Sequence, residues 1–232
     1  MKKWEDLPVE MQLPEVREYY DVLNKKKGSL FLKRVFDIMV SSVLLVILSP
    51  VILLLSMAIK LDSGGPVFYR QERHTQYGRK FRIHKFRSMC DGADKKGSLV
   101  TVGNDERVTR VGKVVRKCRL DEIAQLIDVF KGDMTFVGVR PEVGKYVEKY
   151  EKEWLATFLL PAGVTNLTCI YFKDEDEMLA GVDDVDREYI EKILPIKMKW
   201  NLKGIKEFAF WNDIRLMFMT FFTVCGKEYR EE

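Results

Sequence analysis

Asp121 and Glu122 stand side by side in "RLDEIAQLIDVFKGDM", just downstream of Arg116, Lys117 and Arg119. An ionised aspartate can attack phosphorus and form an acyl phosphate. An anion approaching an anion is opposed, by about 4 kcal/mol for unit charges ~4 Å apart at an effective dielectric of ~20. Cations must cancel that repulsion, and Mg2+ is commonly held by one or two carboxylates plus substrate oxygens. In this reading Asp121 is the nucleophile and Glu122 the metal ligand. Arg73, Arg87 and Arg140 are candidates to bind the remaining phosphate oxygens in bidentate fashion. Helix capping accounts for the same pair, because first-turn carboxylates are favoured by the helix dipole. The spacing alone leaves both readings open.

The elements around the pair follow from periodicity. Leu120, Ile123, Ala124 and Ile127 form an apolar stripe, so a helix starts near Leu120 and stops at Gly132. Asp121 and Glu122 fall off that stripe, with Gln125 and Asp128 on Asp121's side. Val108, Val111 and Val115 predict another helix upstream. "PVFYRQERHTQYGRKFRIHKFRSM" follows the Gly64-Gly65-Pro66 turn and reads as two strands joined around Gln76 to Gly78. The Gly- and Asp-rich stretch 91–107 reads as a loop. Residues 142–160 read as an amphipathic helix, and 185–205 as another. Residues 15–24 make a short amphipathic helix inside a Pro-interrupted segment.

Residues 35–59, "VFDIMVSSVLLVILSPVILLLSMAI", are long and apolar enough to cross a bilayer. They start too far along for a cleavable signal peptide. Both flanks are basic: Lys25, Lys26, Lys27, Lys33 and Arg34 before, Lys60, Arg70 and Arg73 after. One straight span cannot keep both flanks on the cytoplasmic side. A helix that breaks at Ser49-Pro50 and returns to the same face can, and Ser49 is placed to satisfy a carbonyl freed by Pro50. A kinked single span is the alternative. Residues 208–224, "FAFWNDIRLMFMTFFTV", are too short and too charged to span, and fit either the membrane interface or the core.

Charge and cysteine usage narrow the class. Residues 60–120 hold 16 Lys and Arg against 6 Asp and Glu, a local excess of +10 in a chain of net charge +4. That block calls for an anionic partner. It lacks the aromatic-interleaved strands of single-strand nucleic-acid binders, so no nucleic-acid partner is expected. Four scattered cysteines without a CxxC pair argue against disulfides or zinc and for a reducing setting of the polar part. His74 and His84 read as surface or packing residues.

From about Leu30 to Pro141 the sequence resembles the bacterial sugar transferases, the monotopic phosphoglycosyl transferases. The ordered matches are "FLKRVFDI", the apolar run broken at Ser49-Pro50, "GGPVFYRQER", "KFRIHKFRSM", "RLDEIAQLIDVFKGDM" and "FVGVRP". Ala124 and Val139 stand where the family usually has proline, and Asn166 where it has glycine. The resemblance implies transfer of a phosphosugar from a nucleoside diphosphate sugar, usually a UDP-sugar, to polyprenyl phosphate. It implies a covalent intermediate on Asp121, Mg2+ at Glu122, a re-entrant membrane helix broken at Ser49-Pro50, and phosphate binding by Lys85, Arg87 and Arg140. Arg73 and Arg119 join that substrate-binding set.

The expected fold is α+β and mostly helical: a re-entrant helix-break-helix plus a small cytosolic domain with a short β-hairpin and amphipathic interfacial helices. The expected divisions are an N-terminal appendage at 1–30, the membrane hairpin at 31–60, a catalytic core at 61–160 and an accessory region at 161–232. The expected location is the cytoplasmic face of the bacterial inner membrane, in contact with membrane lipids. A non-catalytic membrane adaptor that binds acidic lipids or a partner protein is the competing reading. Sugar identity and oligomeric state are not legible.

Overall fold

The computed structural model describes residues 1–93, 105–171, 182, 184–224 and 229. Most of the loop expected at 91–107 lies outside the described residues, as does the acidic run 174–177. The fold is a mostly helical α+β arrangement with two small sheets.

Helix α1 (Pro14–Asn24) is followed by α2 (Lys27–Ile47) and α3 (Ser49–Asp62), which join at Leu48. Together 27–62 is long and apolar enough to cross a membrane by length and composition, and little of its apolar core is covered by protein. Phe31, Val46, Leu54 and Leu61 are all more than 65% exposed, which marks a membrane-associated surface. Pro50 lacks the N–H that would bond the Val46 carbonyl, and Ser49 Oγ donates to that carbonyl instead at 2.8 Å.

The roots of this long element are anchored in protein. Lys33 Nζ donates to Val137 O at 2.7 Å and pairs with Asp213. Asp37 accepts from Thr135 Oγ1 and from Phe136 N. Arg34 donates to Val129 O and Phe130 O at the end of the next-to-last helix turn before Gly132. Asp37, costly in hydrocarbon, is thus buried against protein donors. At the far end Asp62 accepts from Val111 N at 2.9 Å.

β1 (Phe68–His74) and β2 (Lys80–Phe86) form the predicted antiparallel hairpin, in register from Phe68↔Phe86 to His74↔Lys80. α4 (Arg110–Lys117) is N-capped by Thr109, whose side chain accepts from Gly112 N. The helix expected from Leu120 is a 3₁₀ segment, Leu120–Gln125, running into α5 (Leu126–Lys131). Gly132 ends it with φ 88, a conformation suited to glycine.

A second sheet was not predicted. β3 (Met134–Val137) and β4 (Ala162–Thr165) run parallel. A Cβ on Gly163 would lie 2.1 Å from Gly138 O, so the two strands need a bare backbone there. The helix expected at 142–160 is instead α6 (Gly144–Val147) and a 3₁₀ segment, Glu153–Leu159. Trp154, Ala156, Thr157, Phe158 and Leu159 are all buried there, so beyond Glu153 the segment is covered on several sides and keeps no one-sided helical stripe.

α7 (Leu167–Tyr171) starts at Asn166, whose Oδ1 accepts from Cys169 N. α8 is a continuous helical run made of Val185–Glu188, a π-turn Tyr189–Ile193, and Leu194–Lys206. α9 (Phe210–Val224) closes the described fold. Asp213 faces inward to Lys33, while Trp211, Phe218 and Phe221 are exposed.

Three apolar clusters sit behind the site. Leu7, Met11, Val16, Tyr19 and Leu23 of the first 26 residues pack with Leu159, Ile193 and Met198. Residues 1–26 therefore share a core with α8. Phe81, Ile83, Val129 and Phe136 form a second cluster, roofed by Phe36, Val40, Leu44 and Leu48 of the membrane helix. Ile59, Phe86, Val115 and Ala124 form the third.

Candidate active site

Asp121 enters the site from the 3₁₀ segment that lies against β2. The preceding residue but one, Arg119, is left-handed (φ 51), a strained turn that launches the segment. Asp121 is buried, and its Oδ2 lies 2.8 Å from Lys85 Nζ on β2. The apolar-stripe reading put Asp121 on the open side of a helix. The structure instead sinks that side: Asp121, Gln125 and Asp128 are all buried, while Ile123 and Ile127 are only half-buried. Polar partners on β2 explain it. Asp128 accepts from His84 N at 2.8 Å and pairs with His84 Nδ1 at 2.6 Å. Burial pushes the Asp128 carboxyl above its ordinary range, against the pull of those His84 contacts. His84 is thus a packing residue, one of the two roles, surface or packing, expected of it.

Glu122 points to Arg140, with Oε1 2.5 Å from the guanidinium. Burial opposes ionisation of Glu122, but Arg140, helped by Lys85 and Arg119, outweighs it and holds the carboxyl below its ordinary value. Glu122 in turn pushes the Arg140 guanidinium upward, so this cation stays charged. Arg140 also donates to Val164 O.

Lys85 and Arg140 both line a cavity of about 630 Å3, a volume suited to a small-molecule ligand. Its wall carries seven Arg or Lys residues, from Arg70 to Arg140, against one acid, Asp91. Such a wall matches a polyanion. Arg73 lines it too, donating to Pro141 O at 3.0 Å and to Gln71 Oε1 at 2.6 Å. Desolvation pulls Arg73 below the usual guanidinium range.

Arg87 lines the same wall but is largely committed to the exit of α3. It donates to Gly64 O at 2.6 Å and to Ser63 O at 2.7 Å, and its Nε is buried without a partner. A Cβ on Gly65 would lie 2.2 Å from Arg87 Nη1, and Gly65 has φ 108, so only glycine lets the guanidinium close over this turn. Arg87 therefore ties the membrane helix to the cavity. Arg119 is exposed and is not part of the cavity lining. Ser49 and Pro50 lie in the apolar run, outside the cavity.

Arg107 and Arg116 also line the cavity. Arg107 is held by Asp105, and Arg116 donates to Ser88 Oγ at 2.9 Å. For Arg107 the only sign in the sequence was membership of the basic block, and Arg116 was noted just upstream of the acids without a phosphate-binding role. No group of three or more His, Cys, Asp or Glu side chains forms a metal cage among the described residues. Magnesium does not require one, since it keeps water and substrate oxygens as ligands. Glu122 is the carboxylate expected to hold it, and its Oε1 is paired with Arg140.

The sequence profile of the bacterial sugar transferase family matches residues 28–227. The chain is 34% identical over 197 residues to the UDP-N-acetylgalactosamine-undecaprenyl-phosphate N-acetylgalactosaminephosphotransferase of Aeromonas hydrophila, covering 84% of this chain and 44% of that protein. It is 33% identical over 195 residues to the UDP-glucose:undecaprenyl-phosphate glucose-1-phosphate transferase of Escherichia coli K12, covering 82% and 39%. It is 30% identical over 191 residues to the enzyme of that same description from Caulobacter vibrioides, covering 81% and 67%. The chain thus spans less than half the length of the first two relatives. Asp121 and Glu122 do not line the cavity themselves; each is paired with a cation that does, Lys85 and Arg140. With a family match over most of its length, this chain belongs to the bacterial sugar transferase family.

Proposed function

We propose that this chain moves a phosphosugar from a UDP-sugar to undecaprenyl phosphate, the first membrane step of surface polysaccharide assembly. The carrying observation is the buried Asp121, paired with Lys85 at the edge of a cavity walled by arginines. The names of the relatives supply the substrate classes.

Asp121 attacks the sugar-bearing phosphorus of the donor. A bond forms from its carboxylate oxygen to phosphorus, the diphosphate bridge breaks, and UMP leaves with the electron pair. The lipid phosphate then attacks the same phosphorus. The acyl phosphate bond breaks, Asp121 is restored, and the lipid carries a diphosphosugar. Lys85 screens the carboxylate as the anionic donor approaches, and Arg140 and Arg73 bind phosphate oxygens. Mg2+ held by Glu122 would neutralise charge on the departing phosphate. The depressed Glu122 carboxyl supports that role, because a metal ligand must be ionised.

Undecaprenyl phosphate reaches the site from the bilayer, and a re-entrant α2–α3 on the cytoplasmic face is the membrane topology we favour. Its support is the anchoring of both roots, Lys33 to Asp37 at one end and Asp62 to Gly64 at the other, on one compact body. A straight span would put those roots on opposite sides of ~30 Å of hydrocarbon. Cysteines placed at Gly28 and Ser63 should both react with an impermeant thiol reagent from the cytoplasmic side. Reaction from opposite sides would overturn the re-entrant arrangement.

UMP release from UDP-sugars, with and without undecaprenyl phosphate, tests the reaction. Turnover with acceptor and a stoichiometric burst without it are expected. The adaptor alternative predicts no UMP in either case.

A further inference from the structure

Gln125 is 2% exposed, lines the cationic cavity, and holds its Oε1 buried without a hydrogen-bond partner. A buried acceptor left unpaired destabilises the folded chain, and an apolar side chain of similar shape would avoid that loss. The position is close to the chemistry. Gln125 ends the same 3₁₀ segment that carries Asp121, and at ~2 Å rise per residue it stands about 8 Å further along the axis.

We propose that Gln125 is a substrate-contacting residue that reads the sugar of the donor, accepting a hydrogen bond from a hydroxyl or amide N–H on the sugar ring. This rests on the proposed phosphosugar transfer. The cations around the cavity match the diphosphate, whose ionised oxygens only accept hydrogen bonds. A neutral carboxamide oxygen needs a donor instead. The donor groups of a UDP-sugar are the sugar hydroxyls or acetamido N–H, the ribose hydroxyls and the base N–H. Of these, the sugar is joined directly to the phosphoryl that Asp121 attacks, whereas ribose and base lie beyond the second phosphate. A span of ~8 Å from Asp121 accommodates a phosphoryl group and one pyranose ring. Gln125 then discriminates among sugars by whether a hydroxyl or N–H is present where its oxygen can meet it.

The test uses the full chain in its lipid or detergent environment. UMP release is followed for wild type and Gln125→Met with UDP-glucose, UDP-galactose and UDP-N-acetylgalactosamine. Product inhibition by UMP and thermal unfolding are measured alongside. With the best donor, kcat/KM should fall about tenfold in Gln125→Met, the effect of one hydrogen bond lost in a shielded site. Inhibition by UMP, which lacks the sugar, should stay unchanged, and the melting temperature should be equal or higher. Unchanged kcat/KM, or an equal weakening of UMP, overturns the inference, as does a lower melting temperature with kinetics preserved. Should the variant not fold, wild type is assayed against singly deoxygenated or deacetylated forms of its best donor. One such deletion should cost about tenfold, and a series with no such position refutes the proposal. Absence of UMP release by wild type from every donor, with lipid acceptor present, is a different result, and it removes the proposed function and this inference together.

Discussion

Replacing Lys85 with methionine removes the cation closest to the proposed nucleophile while keeping the length of the side chain. Lys85 Nζ lies 2.8 Å from Asp121 Oδ2 and keeps about a third of its side-chain surface, 34%. In the free protein it neutralises one carboxylate. When the donor arrives it faces additional phosphate charge, and that added interaction is what the transition state gains over the free enzyme. A unit phosphate charge ~4 Å from the ammonium is worth about 4 kcal/mol at an effective dielectric of ~20. Partial exposure lets water screen the pair, so roughly half, ~2 kcal/mol, is a reasonable net value. That corresponds to about 30-fold in kcat/KM. Initial-rate UMP release over a range of donor concentrations, on protein whose thermal unfolding matches wild type, measures it. Lys85→Arg should recover part of the loss, because it restores the charge with different reach. A Lys85→Met protein that keeps kcat/KM within about threefold would refute the role given to this cation.

Other consequences concern Glu122 and the anchoring of the membrane helix. Glu122 has a depressed carboxyl, so it is ionised above that value and protonates as pH falls through it. Arg140→Met leaves burial as the leading influence, so the acidic limb of the kcat/KM–pH profile should move to higher pH, and an unmoved limb would contradict the Glu122–Arg140 pairing. Lys33→Met strands the buried Asp213 carboxylate and should cost about 3–5 kcal/mol in unfolding free energy. The double change Lys33→Met with Asp213→Leu should recover most of that loss, and strictly additive losses would show that the two side chains do not act as a pair.

The parts of this site legible in the sequence are those with local signals. The alternation through Phe81 and Ile83, bounded by Gly64-Gly65-Pro66 and Gly78, was enough for the β1–β2 hairpin. Gly132 marked the end of α5 because only a left-handed residue closes that turn cheaply. Ser49-Pro50 carried its own chemistry, a missing donor next to a hydroxyl that replaces it. The dyad was visible as adjacent acids in a basic block, but its burial was not. Asp121, Gln125 and Asp128 look like a solvated face until β2 supplies Lys85 and His84 across the fold. The parallel pair β3–β4 has two four-residue strands separated by 24 residues, and neither "MTFV" nor "AGVT" alternates. Buried on both faces, such strands carry no period of two. Lys33 and Asp213 are 180 positions apart, so no local pattern pairs them. Residues 1–30 read as an appendage because Pro8 and Pro14 interrupt them, and the sequence left open what they pack against; Leu7, Met11 and Leu23 lie in the core around α8.

The proposed reaction turns on a covalent phosphosugar carried by one carboxylate. Incubation of the protein with its UDP-sugar in the absence of lipid acceptor, followed by rapid quenching and peptide mass analysis, tests it most directly. A phosphosugar adduct on Asp121 is expected at near-stoichiometric level, discharged by added undecaprenyl phosphate and absent in Asp121→Asn. An unmodified Asp121 during turnover, with Asp121→Asn releasing UMP at the wild-type rate, would contradict it.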